Sequence, residues 1–483
     1  MRVADYRAEA ERFSEAIERA SLLHGSGRVP ELELEPVYAR HAALFSRAAV
    51  DALRSAGERE LLGFAVDGLI GQELAPSIEA AARSEAALEL DLDGGPIPFR
   101  RATAALANEP DAERRAEIER ARVAVIATEL DPILREAHER SAALVRELGW
   151  PNVVAMRAEL MQVDIGALAR EARAFLDRTA DAHRAALEGA LRDELGLDRG
   201  RRCDVPALLR ACSLDRDFGD DALLPSLHAT AAALGLPLAA LPNVHLDTEP
   251  RPRKATRAFC APVRVPDEVH LVIPRVGGRG DYSALFHEAG HALHCACADP
   301  ALGFERRRRG DVAVTEGFAF LLERLVSDAG WLGVRLGVAD PARHAERGRA
   351  ERLLLARRYC AKLVYEAELL GGGDPAEMPE RYARLLSEAV GVEWPRETWL
   401  HDVDPGLYVV YYLRAWALEV ALRRRLDAAS GDAWHGSPAA GDVLRRLWGG
   451  GHPARAESLS EELGDGHLRL ASLADDLGVP EAA

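Results

Sequence analysis

Phe286-His287-Glu288-Ala289-Gly290-His291-Ala292-Leu293-His294 is the stretch on which the reading of this chain turns. It is an H-E-x-x-H pattern inside a segment that predicts helix. Four residues make about one helical turn, so His287 and His291 project from one face and can share a metal ion. Glu288 lies about 100° around the helix from His287. From there it can reach a water on the metal without ligating the ion, which suits a general base. Two histidines on a polar helical face would give the same letters, so a third ligand is required from another element.

Asp311-Val312-Ala313-Val314-Thr315-Glu316-Gly317-Phe318-Ala319-Phe320-Leu321-Leu322-Glu323 begins a second helical pattern. Glu316 and Glu323 stand seven positions apart, nearly on one face of an otherwise apolar helix. Carboxylates on an inward face are costly unless a cation partners them. Glu316 is therefore expected to complete a His₂Glu set with water in the fourth position, and Glu323 to orient a ligand histidine. The competing reading puts one of these glutamates at the solvated boundary.

Just upstream of the motif the helical pattern breaks. From Arg257 to Ile273 two short β-prone runs flank Val265-Pro266-Asp267-Glu268, which reads as a hairpin turn. In the second run Val269, Leu271 and Ile273 point one way and Glu268, His270 and Val272 the other. Pro262 and Pro266 predict a small, edge-exposed sheet. Gly277-Gly278-Arg279-Gly280 then leads into a helix expected to be capped by Asp281. A small sheet feeding a helix through a glycine loop, within a helical chain, marks a site.

The remainder reads as helix. Of 483 residues 48% are hydrophobic but only 6% aromatic, and Ala, Leu, Arg and Glu dominate, which favours helices over sheets. Apolar residues recur at i, i+3, i+4 from Ala112 to Leu148, Ile165 to Leu197, Glu351 to Leu370 and Tyr408 to Leu426, with Asp164 placed to cap the second run. Gly-Gly-Pro at 94–96 and the Pro-rich segment 241–252 read as turns. There is no internal repeat, and the length suits one large body or two to three lobes.

The charge sum is 61 − 78 = −17. Such a surface repels phosphate backbones and anionic lipids, which argues against nucleic-acid and membrane partners. Positive charge is almost all arginine, with Lys254 and Lys362 the two lysines, a bias attributed to genome composition. Six cysteines are too sparse for a disulfide framework, and Cys295 and Cys297 fit no Cys-x-x-Cys spacing. The opening residues mix charges at once, with no apolar leader, and no stretch approaches eighteen uncharged apolar residues. These features predict a soluble, cytoplasmic protein.

One more segment carries chemistry. His401-Asp402-Val403-Asp404-Pro405-Gly406-Leu407-Tyr408-Val409-Val410-Tyr411-Tyr412-Leu413-Arg414-Ala415-Trp416 holds three of the chain's nine tyrosines within five positions. Metal-assisted amide hydrolysis passes through a tetrahedral oxyanion, to which tyrosine hydroxyls or a histidine can donate. Tyr408 and Tyr412 share a helical face, and Tyr411 lies close to Tyr408. For any one tyrosine, aromatic core packing is an equal reading.

Together these segments resemble the thimet oligopeptidase and oligoendopeptidase F family of zinc metallopeptidases. The motif at 286–294 looks like its zinc signature, and the spacing of 316 − 287 = 29 to Glu316 is similar to that family's distance to its glutamate ligand. The acidic residue seven positions on, Glu323, and His401 ahead of a tyrosine-rich helix fit the same pattern. The likeness is specific from Arg257 to Glu323 and looser from His401 to Glu419.

The resemblance implies a mainly α, two-lobed helical clamshell with a deep channel, a small sheet beside the zinc-binding helix, and one zinc per chain. On that basis residues 1–200 are expected to form an N-terminal lobe and 201–483 a catalytic lobe. His287, His291 and Glu316 would hold zinc, Glu288 would activate water, and His401 with Tyr408 or Tyr412 would stabilise the oxyanion. Short unfolded peptides would be the substrates, bound by strand addition near Glu268 to Ile273, with the Gly277–Gly280 loop moving to admit them. A channel lined by much of the negative charge would favour basic or neutral peptides over acidic ones. A metallocarboxypeptidase of similar helical fold, or an inactive peptide-binding scaffold, are the alternatives.

Three departures stand out. Gly317-Phe318-Ala319 follows Glu316 where the family has small and polar residues. Arg414 falls near where a further tyrosine is expected. The tyrosine segment is out of register by about one residue, leaving open which of Tyr408, Tyr411 and Tyr412 faces the zinc. His294 reads as a core or supporting histidine, and Cys295 as buried packing.

Overall fold

The predicted helical runs form, and their ends show the local chemistry that stops them. The computed structural model describes residues 2–274, 277–431, 433–453 and 455–479. The run from Ile165 becomes two helices, Ile165–Arg178 and Ala180–Leu195, separated at Thr179, whose hydroxyl donates back to the Phe175 carbonyl at 2.6 Å. Asp164 caps the first by accepting the Ala167 N–H at 2.8 Å. Gly196 ends the second in the left-handed region, at φ +66°. The run from Ala112 holds a π-turn, Ile126–Leu130, between helices Ala112–Val125 and Asp131–Glu147. Among the described residues strands make only two small sheets, and the fold is mainly α. Among the described residues, no helix is long and apolar enough to cross a membrane.

The chain divides into two compact units, each gathered from three separate stretches. The first takes residues up to Gly68, Leu214–Glu346 and Arg414–Ser472; the second takes Leu69–Ser213, Arg347–Leu413 and the residues from Leu473. A cut at residue 200 falls inside the long Leu69–Ser213 stretch.

Within the second unit Leu90, Phe99, Leu106, Ile118, Ile126 and Leu130 form one apolar cluster. Beside it Arg115 and Asp204, each 1% exposed, pair at 2.8 Å. The turn expected at 94–96 joins two short paired strands, Glu89–Leu90 and Ile97–Pro98.

In the first unit the hairpin forms as expected. Phe259–Arg264 and Glu268–Val272 pair antiparallel around a turn at 265–267, with Val269, Leu271 and Ile273 all buried. A third strand, Val244–Asp247, lies parallel to Glu268–Val272 on its other side, within the segment read as turns. Its four residues between Pro242 and Pro250 are too short a run to show alternation in the sequence. The third strand changes the expectation for substrate. Glu268–Val272 is the central strand with both edges occupied, so it cannot accept a further strand. The sheet's outer strands are Val244–Asp247 and Phe259–Arg264, and Pro262 sits on the latter, as its missing N–H requires.

Both faces of this sheet are covered, which explains why Val272 is buried along with the opposite face. Leu22 of the N-terminal helix Val3–Gly25 packs with Ala261, Val263 and Val272. The Arg19 guanidinium grips Glu268 with two hydrogen bonds of 3.0 and 2.9 Å. The motif helix, Arg279–Ala296, also packs on the sheet. It starts two residues before the expected cap. Its first N–H, that of Arg279, goes to Asp215 Oδ1 at 2.9 Å, while Asp281 turns back to accept the Gly277 N–H at 2.7 Å.

Candidate metal centre

Gly290 brings the two ligand-bearing helices together. A Cβ at this position would lie 2.5 Å from Ala319 Cα and 2.7 Å from the Phe318 carbonyl oxygen, so only glycine permits the approach. The helix Val312–Glu323 can therefore lie against the motif helix, capped by Asp311 through the Ala313 N–H. Glu316, 4% exposed, then faces both histidines. Its Oε2 is 3.4 Å from His287 Nε2 and 3.7 Å from His291 Nε2. One ligand atom from each of the three residues lies within 4.8 Å of the others. Ligands about 2.1 Å from a tetrahedral ion sit about 3.4 Å apart, so this spacing fits one.

The outer nitrogens of both imidazoles are already committed. His287 Nδ1 is 2.8 Å from Glu323 Oε2, and the Ser283 hydroxyl donates to the other oxygen of that carboxylate at 2.6 Å. His291 Nδ1 is 2.8 Å from the Thr315 hydroxyl oxygen. Each Nδ1 therefore holds its partner, and each Nε2 is turned toward Glu316. Glu323 meets His287, the contact its expected role would need; Thr315 and Ser283 went unnoticed in the sequence. Ser283 stands one turn before His287, and Thr315 adjoins Glu316, but neither residue type announces a metal-site contact.

The electrostatics favour positive charge where these atoms converge. Burial works against a charged His287, yet hydrogen bonds to Glu316 and Glu323 outweigh it and raise the group to about 10. Burial pushes His291 down to about 4, which keeps it neutral and able to ligate. Burial alone would raise Glu323, but its bond to His287 holds the carboxyl below its ordinary value. Two neutral-capable imidazole nitrogens and one buried carboxylate oxygen are a donor set suited to zinc.

Glu288 points to a different neighbour. Its Oε2 accepts the backbone N–H of Cys260, on the outer strand Phe259–Arg264, at 2.8 Å. Burial raises its carboxyl above the ordinary range, a shift toward the proton affinity a general base needs. His294 donates to, or accepts through, no ligand atom: its Nε2 meets the Gly451 carbonyl at 3.1 Å and its ring stacks on His452 at 4.5 Å. Cys295 is buried, as expected.

The other expected site residues lie in the second unit. Tyr408 packs edge-on against Tyr411 and Tyr412 at 5.5 and 5.0 Å, and Tyr412 meets Tyr359 at 5.5 Å. Tyr408 is 36% exposed. His401 stands edge-on to Phe99 at 6.0 Å, and burial, aided by the charge of Arg122, pushes it down to about 4. Asp404 starts the tyrosine helix, Tyr408–Ser430, accepting the N–H of Gly406 at 2.7 Å and of Tyr408 at 3.3 Å. Arg414, where a tyrosine was expected, is buried in an ion-pair cluster.

Fold and site thus define a mainly α chain with a partly buried His₂Glu cluster on two close-packed helices. Solved structures of proteins provisionally named oligoendopeptidase F share this fold over nearly the whole chain. One is 16% identical with a TM-score of 0.71, covering 98% of this chain and 91% of its own. Another, from Bacillus anthracis str. Ames, is 14% identical with a TM-score of 0.65, covering 99% and 85%. At this identity the likeness is one of fold, and it is the fold that the motif's resemblance implied. No protein-family profile and no curated protein matches the chain.

Proposed function

We propose that this protein is a zinc-dependent peptidase of short, unfolded peptides. The observation that carries the reading is the convergence of His287 Nε2, His291 Nε2 and Glu316 Oε2, with each imidazole's other nitrogen already bonded. A zinc ion held by these three residues supplies Lewis-acid polarisation of a scissile carbonyl and acidifies water. Glu288, one residue along the helix from a ligand, takes the proton from the attacking water. It then returns that proton to the amine as the peptide bond breaks, so the carboxylate ends the cycle as it began.

His401, Tyr408 and Tyr412 are the proposed donors to the developing oxyanion. Burial keeps His401 neutral over the physiological range, so its imidazole N–H can donate without carrying charge. The solved structures that share the fold bear an oligopeptidase name, which supports the same class of reaction.

Chelation tests the proposal. A quenched fluorogenic peptide should be cleaved by the purified protein, lose cleavage after dialysis against a chelator, and regain it with about one equivalent of zinc per chain. Undiminished cleavage by chelator-treated, metal-free protein would refute it.

A further inference from the structure

Arg414 stands where the resemblance leads one to expect a tyrosine, and its side chain is only 3% exposed. It is bound to two carboxylates. Nη2 and Nη1 reach Asp311 at 2.5 and 3.1 Å, and Nε and Nη2 reach Glu457 at 2.8 and 2.7 Å. Asp311 is the cap of the helix that carries Thr315, Glu316 and Glu323. Its Oδ1 accepts the Ala313 N–H at 3.0 Å and its Oδ2 the Ala456 N–H at 2.8 Å. Every bond that Asp311 makes through its side chain therefore fixes where this helix starts.

The same tyrosine helix braces the ligand helix a second time. Leu418, four positions beyond Arg414, lies against Gly317: a Cβ there would be 2.9 Å from Leu418 Cδ2. A helix moves as a rod over so short a span, so a shift at its cap carries Glu316 and Thr315 with it. An arginine makes this clamp possible because its planar fork can serve two carboxylates at once.

We infer that Arg414 is a positioning residue for the metal centre: by clamping Asp311 it sets the register of the ligand helix against the motif helix. Arg414 is thereby withdrawn from oxyanion stabilisation, which leaves that task to His401 and the tyrosines. The inference rests on His287, His291 and Glu316 being the zinc ligands, and the test separates the two claims.

Zinc affinity is measured by competition with a chromogenic chelator for wild type, Arg414→Gln and Arg115→Gln. The last breaks a comparable buried pair in the other unit. Arg414→Gln should bind zinc about 10- to 100-fold more weakly while keeping its helical circular dichroism, and Arg115→Gln should bind as wild type does. If Arg414→Gln does not fold, Asp311→Asn carries the same expectation, since it keeps the cap shape and loses the charge pair. Wild-type affinity in Arg414→Gln or Asp311→Asn would overturn the positioning role alone, and an equal loss in Arg115→Gln would reduce it to general destabilisation. A wild-type protein without zinc affinity would overturn the ligand set beneath it.

Discussion

Glu323 Oε2 sits 2.8 Å from Nδ1 of His287, across the interface of the two helices that hold the candidate metal ligands. The contact engages Nδ1 of His287 and leaves Nε2 facing Glu316. Thr315 engages Nδ1 of His291 in the same way, but with a neutral hydroxyl. The two histidines are therefore supported unequally, one by a half-buried charge and one by a dipole.

Replacing those supports should loosen zinc without unfolding the chain. Glu323→Gln and Thr315→Val are each expected to weaken zinc about 10- to 100-fold, with Glu323→Gln toward the larger end. Chelator competition reads the change. Thr315→Ser, which keeps the hydroxyl, should bind like wild type.

Gly290 is expected to tolerate no side chain. Gly290→Ala places a methyl group against Ala319 Cα and the Phe318 carbonyl, forcing the helices apart. Overpacking of this kind costs about 1–3 kcal/mol, and the separation should also lower zinc content. Thermal unfolding with metal analysis on the same sample checks both effects. A variant with full stability and full zinc would show that the close approach is dispensable.

Acid should weaken the hold of the N-terminal helix on the sheet. The Arg19 guanidinium holds the Glu268 carboxyl down at about 2, well below its ordinary 4.5. A depressed carboxyl contributes stability above its unfolded value, and that contribution disappears as pH falls from about 4.5 toward about 2. Arg19 is partly exposed, so the pair is worth about 1 kcal/mol. Arg19→Met should thus lower stability in urea at pH 7 by about that amount, and the difference should vanish near pH 2.

His401→Ala, Tyr408→Phe and Tyr412→Phe test the oxyanion assignment. Loss of one true donor should lower kcat about 10²- to 10³-fold, with zinc affinity unchanged. Burial already holds His401 neutral, so its contribution should be flat in pH well above about 4. If all three variants cleave at the wild-type rate, the donors lie elsewhere.

The candidate metal cluster and most helices were legible because their information is local. One turn separates His287 from His291, and the hairpin around Val265–Glu268 lies within a single short window. Glu316 could be found from its apolar surroundings and its partner at seven positions. What stayed hidden depends on residues far apart in the chain. The strand Val244–Asp247 is visible only through its pairing with Glu268–Val272, so the sequence left that central strand with an apparently open edge that is in fact filled. Arg414 looked like a missing tyrosine until its partners, Asp311 and Glu457, were placed around it. The interleaving of the two units has no local signature.

The most direct test of the account is to measure zinc content and peptide cleavage together in wild type and Glu288→Gln. Glu288 contacts Cys260 and is not part of the ligand cluster, so its amide should leave the metal in place. Both proteins should hold about one zinc per chain, and only wild type should hydrolyse the peptide. Full hydrolysis by zinc-loaded Glu288→Gln would contradict the account.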